Sequence, residues 1–395
     1  MSEALKRRIG LPLLTAYGVG VMVGAGIYVL VGAVASQAGA WAPLSFILAG
    51  LIAAPTALSY AEFSTRLPEA AGEAAYVAHG LRMDWLGVLV GVAIVLAGTI
   101  SAAAVLRGGA GYLALATGLP QELLAVVLGL GLVAVALAGV LESLALAAIF
   151  TGIEILGLVL VMHAGWLAEP VVTVAELPPI AFPGLAAGAV LAFFAFIGFE
   201  DIVNMAEEVE DPERVMPRAI LIALLITSLL YALVAVAAVR AVPLADLAQS
   251  EQPLALVWQA GHGGSAAFLA LIAVAAAMNG VLAQIVMAAR VLFGLGRRTP
   301  AFAIFHHAHE RLGTPVLATC LVGAMLLPAA LTLPVAELAS ATSALLLGVF
   351  VLVNAALLAV KRGAPPARFN VPAAVPAFGL LGSLGALYIT LGGPF

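Results

Sequence analysis

The sequence predicts an all-α integral membrane protein with about eleven transmembrane helices, and three observations predict it. Of its 395 residues, 64% are hydrophobic and 9% charged, where soluble domains run near about 45–50% and about 25%. Apolar stretches of about 20 residues, the length that crosses the hydrocarbon core, follow one another almost end to end. Those stretches are continuous, as in Leu221–Ala238, whereas the strands of a membrane barrel would alternate in shorter segments. A mean hydropathy of +1.17 leaves too little charge to coat a soluble surface. Soluble enzymes, nucleic-acid binders and disordered scaffolds are excluded on that ground. Cys320 is the single cysteine, so no intrachain disulfide forms, and no Cys/His spacing suggests a metal site.

The spans fall at 11–35, 40–65, 84–106, 121–140, 144–167, 183–205, 216–239, 264–293, 314–333, 337–360 and 375–393. Connections of at most about twenty residues leave no room for a separate soluble domain. With a cytoplasmic N-terminus in the plasma membrane, the inside connections hold Lys6, Arg7, Arg8, Arg66, Arg82, Arg214, Arg218, Arg297, Arg298, Arg311, Lys361, Arg362 and Arg368. Arg290 lies near the inner end of its helix, and only Arg107 and Arg240 fall outside. Cytoplasmic connections collect Lys and Arg, so the N-terminus is expected inside and the C-terminus, after an odd number of crossings, outside. Lys6-Arg7-Arg8 and Ala33-Val34-Ala35 superficially resemble a signal peptide, but the apolar run between them is longer than a usual signal core.

Two spans carry interruptions. In the first, Gly18, Gly20, Gly24 and Gly26 crowd together. Each glycine weakens a helix by about 1 kcal/mol relative to Ala and admits other backbone angles. Unwinding near Gly24-Ala25-Gly26 would start a new half-helix whose free N–H groups and positive dipole end favour a carboxylate, with Ile27 among the substrate-binding residues. Close helix packing through Gly20 and Gly24 is the alternative. The sixth span reads Phe193-Phe194-Ala195-Phe196-Ile197-Gly198-Phe199-Glu200-Asp201. Carbonyls freed near Phe196–Gly198 would face a positive charge; an ordinary aromatic-lined helix is the alternative. Two breaks five helices apart are the trace of an inverted repeat with a binding site at its interface. Residues 11–167 and 183–360 then form the two halves of a single transport domain, and 375–393 is an additional helix.

These segments resemble amino acid–polyamine–organocation transporters, closest to their cationic amino acid transporter branch. Gly24-Ala25-Gly26-Ile27-Tyr28 is similar to that family's first-helix substrate motif. Tyr60-Ala61-Glu62-Phe63, followed by Leu67-Pro68-Glu69-Ala70, resembles its first intracellular segment. Phe194–Glu200 running into Ala206-Glu207-Glu208-Val209 is the most specific match, and the similarity reaches Arg290 and Gly313-Thr314-Pro315. The resemblance implies a LeuT-like five-plus-five inverted-repeat fold, discontinuous helices one and six, and alternating access. It implies that the amides of Gly24, Ala25 and Gly26 hold a substrate carboxylate and that the carbonyls of Ala195, Phe196 and Ile197 hold its amino group. Ser101 joins the pocket by family position. Family members usually have twelve helices or more, against eleven here. Where related members carry a fifth-helix lysine in place of a sodium ion, this chain has Glu154.

A carboxyl group in mid-helix is costly in lipid, so Glu154 should face the interior and be protonated, paired or bound to a cation. It could carry a coupling proton, ligate a cation, or serve as a neutral structural hydrogen-bonder. Sodium is disfavoured because the eighth helix has no Ser or Thr between Ser265 and Thr299. Glu200 and Asp201 could orient a substrate amine, but Glu200 is better read as an acceptor for backbone donors freed at the break. Glu62 reads as a gate or loop contact. Met278 and Asn279 could line the side-chain pocket, although a Met in an apolar helix more often packs. His306, His307 and His309 read as a solvated face. The expected function is amino acid transport by alternating access, driven by protons, with no cofactor and the lipid bilayer as environment. A polyamine carrier, an uncoupled exchanger and a non-transporting amino acid receptor are the alternatives.

Overall fold

The structure, a computed structural model, describes residues 7–24, 26–171, 177–250, 252–310 and 312–391. The first span is two helices, α1 (Leu11–Val23) and α2 (Gly26–Ala38); Ala25 between them lies outside the described residues. There follow α3 (Ala42–Arg66), the short α4 (Gly72–Leu81), α5 (Asp84–Thr117), α6 (Gln121–Ala138) and α7 (Val140–Leu167). The sixth span is α8 (Phe182–Phe193), a 3₁₀ turn at Phe194–Phe196, and a 3₁₀ stretch at Phe199–Glu208. Next come α9 (Pro212–Ala241), the short α10 (Leu244–Gln249) and α11 (Pro253–His262), then α12 (Ala267–Arg298), α13 (Val316–Thr332), α14 (Val335–Val360) and α15 (Ala374–Thr390). Among the described residues, eight stretches are long and apolar enough to cross a membrane, and the shorter apolar helices α8, α13 and α15 stand with them. The protein is an integral membrane protein built of helices.

The third span runs further than expected, to Thr117 rather than 106. Its Arg107 is accommodated at that depth because Nη1 donates to the Ala330 and Leu331 carbonyls at the end of α13, at 2.8 and 3.1 Å. The packing has an internal symmetry. The largest interfaces join α5 to α12 and α3 to α9, which are the third with the eighth span and the second with the seventh. The α7–α12 pair (fifth with eighth) and the α5–α14 pair (tenth with third) also pack closely. Exchanging spans one to five with six to ten maps the first two interfaces onto themselves and the last two onto each other, as a LeuT-like fold requires. An odd number of crossings per half makes the halves inverted in the membrane.

Acids and cations pair at the ends of α3, α12 and α14. Glu62 is fully buried and accepts from Arg66 Nη2 at 2.7 Å, Lys361 Nζ at 2.6 Å and the Val371 amide at 2.8 Å. It thereby pins the end of α14 and the following loop to α3. Glu69 takes both Arg297 and Arg298, at 3.0 and 2.6 Å. The chain before α1 lies along the end of the sixth span, with the Arg8 and Ile9 amides on the Glu208 carbonyl at 2.8 and 3.0 Å.

Glu73, on α4 outside the spans, has no such cation among the described residues. Its Oε1 takes a 3.4 Å hydrogen bond from Asn204 Nδ2, and its Oε2 has no partner among the described residues. Burial pushes its pKa from 4.5 up to about 8. The folded state therefore holds this proton over a range in which the unfolded chain has lost it, so stability falls as pH rises from about 4.5 through about 8. Thermal unfolding in detergent is expected to drop in midpoint between about pH 6 and about pH 8, and Glu73→Gln should flatten that slope. An unchanged slope in the variant would place the titrating group elsewhere.

Candidate substrate cavity

The two helix breaks touch. Gly24 ends α1 with φ 27° and its amide still bonded to the Gly20 carbonyl at 3.1 Å, so the chain leaves the helical path in a conformation that glycine adopts most easily. Gly198 has φ 126°, and a Cβ there would lie 2.8 Å from Val21 Cγ1 and 3.3 Å from the Met22 amide nitrogen. Any side chain would push the breaks apart. Tyr231 of α9 joins them, its buried hydroxyl 2.5 Å from the Met22 carbonyl and 2.9 Å from that of Ala195. One hydroxyl proton shared between two carbonyls ties both broken segments to one rigid helix. Glu200 Oε2 accepts from the Gly198 amide at 2.8 Å, satisfying a donor freed by the break.

Beside the breaks lies a cavity of about 270 Å³. Gly24 and Gly26 line it from the first span and Ala195, Ile197 and Asp201 from the sixth; Gly98 and Ser101 come from α5, Gly280, Gln284 and Met287 from α12, and Thr342 and Ser343 from α14. The α2 half-helix begins at Gly26 with its first amides unpaired by helix geometry, an end that suits an anion.

Of the residues singled out from sequence, Gly24, Gly26, Ser101, Ala195 and Ile197 stand at this cavity. Ile27 is fully buried, and Phe196 turns its ring onto Tyr231, centroids 5.2 Å apart, leaving only its backbone near the break. Met278 and Asn279 do not line the cavity; Gly280, Gln284 and Met287 present the cavity-facing side of α12 instead. Their spacing of four and three is one helical face, but α12 is apolar all round and its sequence carries no phase to select that face. Tyr231 gave no sequence signal either, being one aromatic in a long apolar run.

Asn279 faces Glu154. Its Nδ2 donates to Glu154 Oε1 at 2.9 Å and to Thr151 Oγ1 at 3.1 Å, and Thr151 lies 3.2 Å from the Ala16 carbonyl of α1. Glu154 is fully buried, its Oε2 has no partner, and among the described residues no cation pairs with it. The hydroxyl absent from α12 is thus supplied by α7. Gly20 packs against this group so closely that a Cβ would collide with both Thr151 Oγ1 and Asn279 Nδ2. Gly20→Ala is expected to destabilise the protein by about 1–3 kcal/mol through overpacking, and Gly20→Ala with Thr151→Ala should recover part of the loss. Thermal unfolding of the single and double variants checks both.

The sequence has counterparts among known proteins. The amino acid permease family profile matches residues 9–394. The mitochondrial cationic amino acid transporter 3 of Arabidopsis thaliana is 32% identical over 94% of this chain and 65% of its own length. The branched-chain amino acid permease BcaP of Bacillus subtilis is 28% identical over 98% of this chain and 88% of its own. The methylthioribose transporter of the same bacterium is 27% identical over 94% and 85%. The chain thus spans slightly less than two thirds of the plant relative and most of the bacterial ones. Broken first and sixth helices, a cavity between them and a match over nearly the whole chain lead to one conclusion: this chain belongs to the amino acid permease family of the amino acid–polyamine–organocation superfamily.

Proposed function

We propose that this protein is a secondary transporter that carries an amino acid across the plasma membrane by alternating access, coupled to protons through Glu154, with its N-terminus in the cytoplasm. The observation that carries this reading is the cavity at the paired breaks, with Gly26 at the N-terminal end of α2 and Ala195 and Ile197 of the sixth span both on its wall. A zwitterion matches that pair of polarities, its carboxylate toward the amides and its ammonium toward the carbonyls. Relatives named for cationic and for branched-chain amino acids support the α-amino acid head group as the common element. Residues 11–167 and 183–360 act as the two repeats that rock about the site. Glu154 is the coupling group because it is buried, lacks a cation and connects through Asn279 and Thr151 to α1. A proton suits it better than sodium, since Asn279 turns its NH₂ group into the space between the two oxygens.

Uptake of a radiolabelled amino acid pool into proteoliposomes, with and without an inward proton gradient, tests the reading. Gradient-dependent accumulation is expected. Equilibration without accumulation would make the protein a facilitator or exchanger, and binding without flux would make it a receptor.

A further inference from the structure

A second hollow lies apart from the substrate cavity and shares none of its residues. It is a cleft of about 610 Å³ between α3 and α9. Helix α9 begins at Pro212, beside the Glu210 amide that bonds to the Ile9 carbonyl, and ends at Ala241. Arg240, on the cleft wall, therefore stands at the membrane face opposite the N-terminus. Leu44 and Ile47 line the cleft from α3, and Val236 lines it from α9 one turn before Arg240; each pair occupies a single helix face. Ile47 is 44% and Val236 40% exposed, so the cleft opens sideways onto the surface that lipid covers. Trp41 and Trp166 also line it, and tryptophan collects at the level of lipid head groups.

Arg240 is held in place but left with unused capacity. Its Nη1 donates to the Gly165 and Ala168 carbonyls at the end of α7, at 2.6 and 2.8 Å, and its guanidinium lies 5.2 Å from the centre of the Trp166 ring. Those contacts fix the guanidinium. Among the described residues the N–H groups of Nε and Nη2 have no acceptor, and no carboxylate pairs with the charge. A guanidinium presents paired N–H groups that match the oxygens of a phosphate, and basic pockets between membrane helices take lipid head groups. A fixed cation at one end of an apolar cleft fits an anion that carries a hydrocarbon chain. We propose that the cleft binds an anionic phospholipid, its phosphate on Nε and Nη2 of Arg240 and an acyl chain along Leu44, Ile47 and Val236. The lipid would join the second, fifth and seventh spans at the face opposite the N-terminus.

The test is native mass spectrometry of the purified full-length protein with phosphatidylglycerol and phosphatidylcholine of identical acyl chains. Phosphatidylglycerol should bind about tenfold more tightly, as expected for hydrogen bonds to a charged group. Arg240→Gln should bring the ratio toward one. Val236→Trp, which fills the cleft from a lipid-facing position, should weaken binding of phosphatidylglycerol with Arg240 intact, so either variant reports if the other does not fold. Glycerol phosphate, which has the anion without the chains, should not displace the lipid. Equal affinity for the two lipids in the unaltered protein, a preference that survives both substitutions, or displacement by glycerol phosphate would overturn the site.

Discussion

Replacing Glu154 by Gln is expected to abolish proton-driven accumulation in proteoliposomes while exchange of internal for external substrate continues. The glutamine keeps the size of the side chain and an oxygen to accept from Asn279 Nδ2, which now lies 2.9 Å from Oε1. It removes only the capacity to gain and lose a proton. An ionised carboxylate with one neutral donor and an unpartnered Oε2 bears an effective desolvation penalty of several kcal/mol in a buried site, so the charged form calls for rearrangement. The hydrogen-bonded path from Glu154 through Asn279 reaches Thr151, whose hydroxyl lies 3.2 Å from the Ala16 carbonyl of α1 and 2.9 Å from the Ala147 carbonyl of its own helix. Loss of the carboxyl proton should therefore be felt where α7 meets α1. Accumulation that keeps its gradient dependence in the glutamine variant would assign Glu154 a structural role and leave coupling to another buried acid.

The fold was legible because its main determinant is the length of apolar runs. Each of the eleven expected spans overlaps one of the apolar helices, and the breaks were marked by residues that cannot be disguised, glycine at Gly24 and Gly198 and paired acids at Glu200 and Asp201. Side-chain partnerships were less legible, for two physical reasons. A helix wrapped on all sides by protein and lipid is apolar on every face, so periodicity does not say which residues of α12 meet the cavity. Asn279 was expected in the pocket and instead holds Glu154; Gln284, about 1.4 turns further on, took the cavity position. The second reason is distance along the chain. Glu62 with Lys361, and Tyr231 with Met22, are contacts between spans that only the tertiary arrangement brings together.

Arg290→Met is expected to be among the most destabilising single substitutions in the protein, by about 3–5 kcal/mol, seen as a large fall in the detergent unfolding midpoint. The pair it breaks is fully buried on both sides: Arg290 Nη2 lies 3.2 Å from Glu208 Oε1, and Nε lies 3.4 Å from Oε2. Truncating one partner leaves the other charge buried without compensation, whereas replacing both removes the desolvation cost along with the attraction. Arg290→Met with Glu208→Leu should therefore be more stable than either single variant, and an additive double loss would show that the residues do not act as a pair. Function should not recover with stability. Arg290 lies one turn beyond Met287, and Glu208 two turns beyond Asp201, so the pair stands between the cavity and the N-terminal face. It joins α12 to the end of the sixth span, where Arg8 and Ile9 also bind the Glu208 carbonyl. Transport in proteoliposomes should then be slowed if opening requires Arg290 and Glu208 to separate and re-form their pair. A double variant with normal turnover would mean that this ion pair only supports the fold.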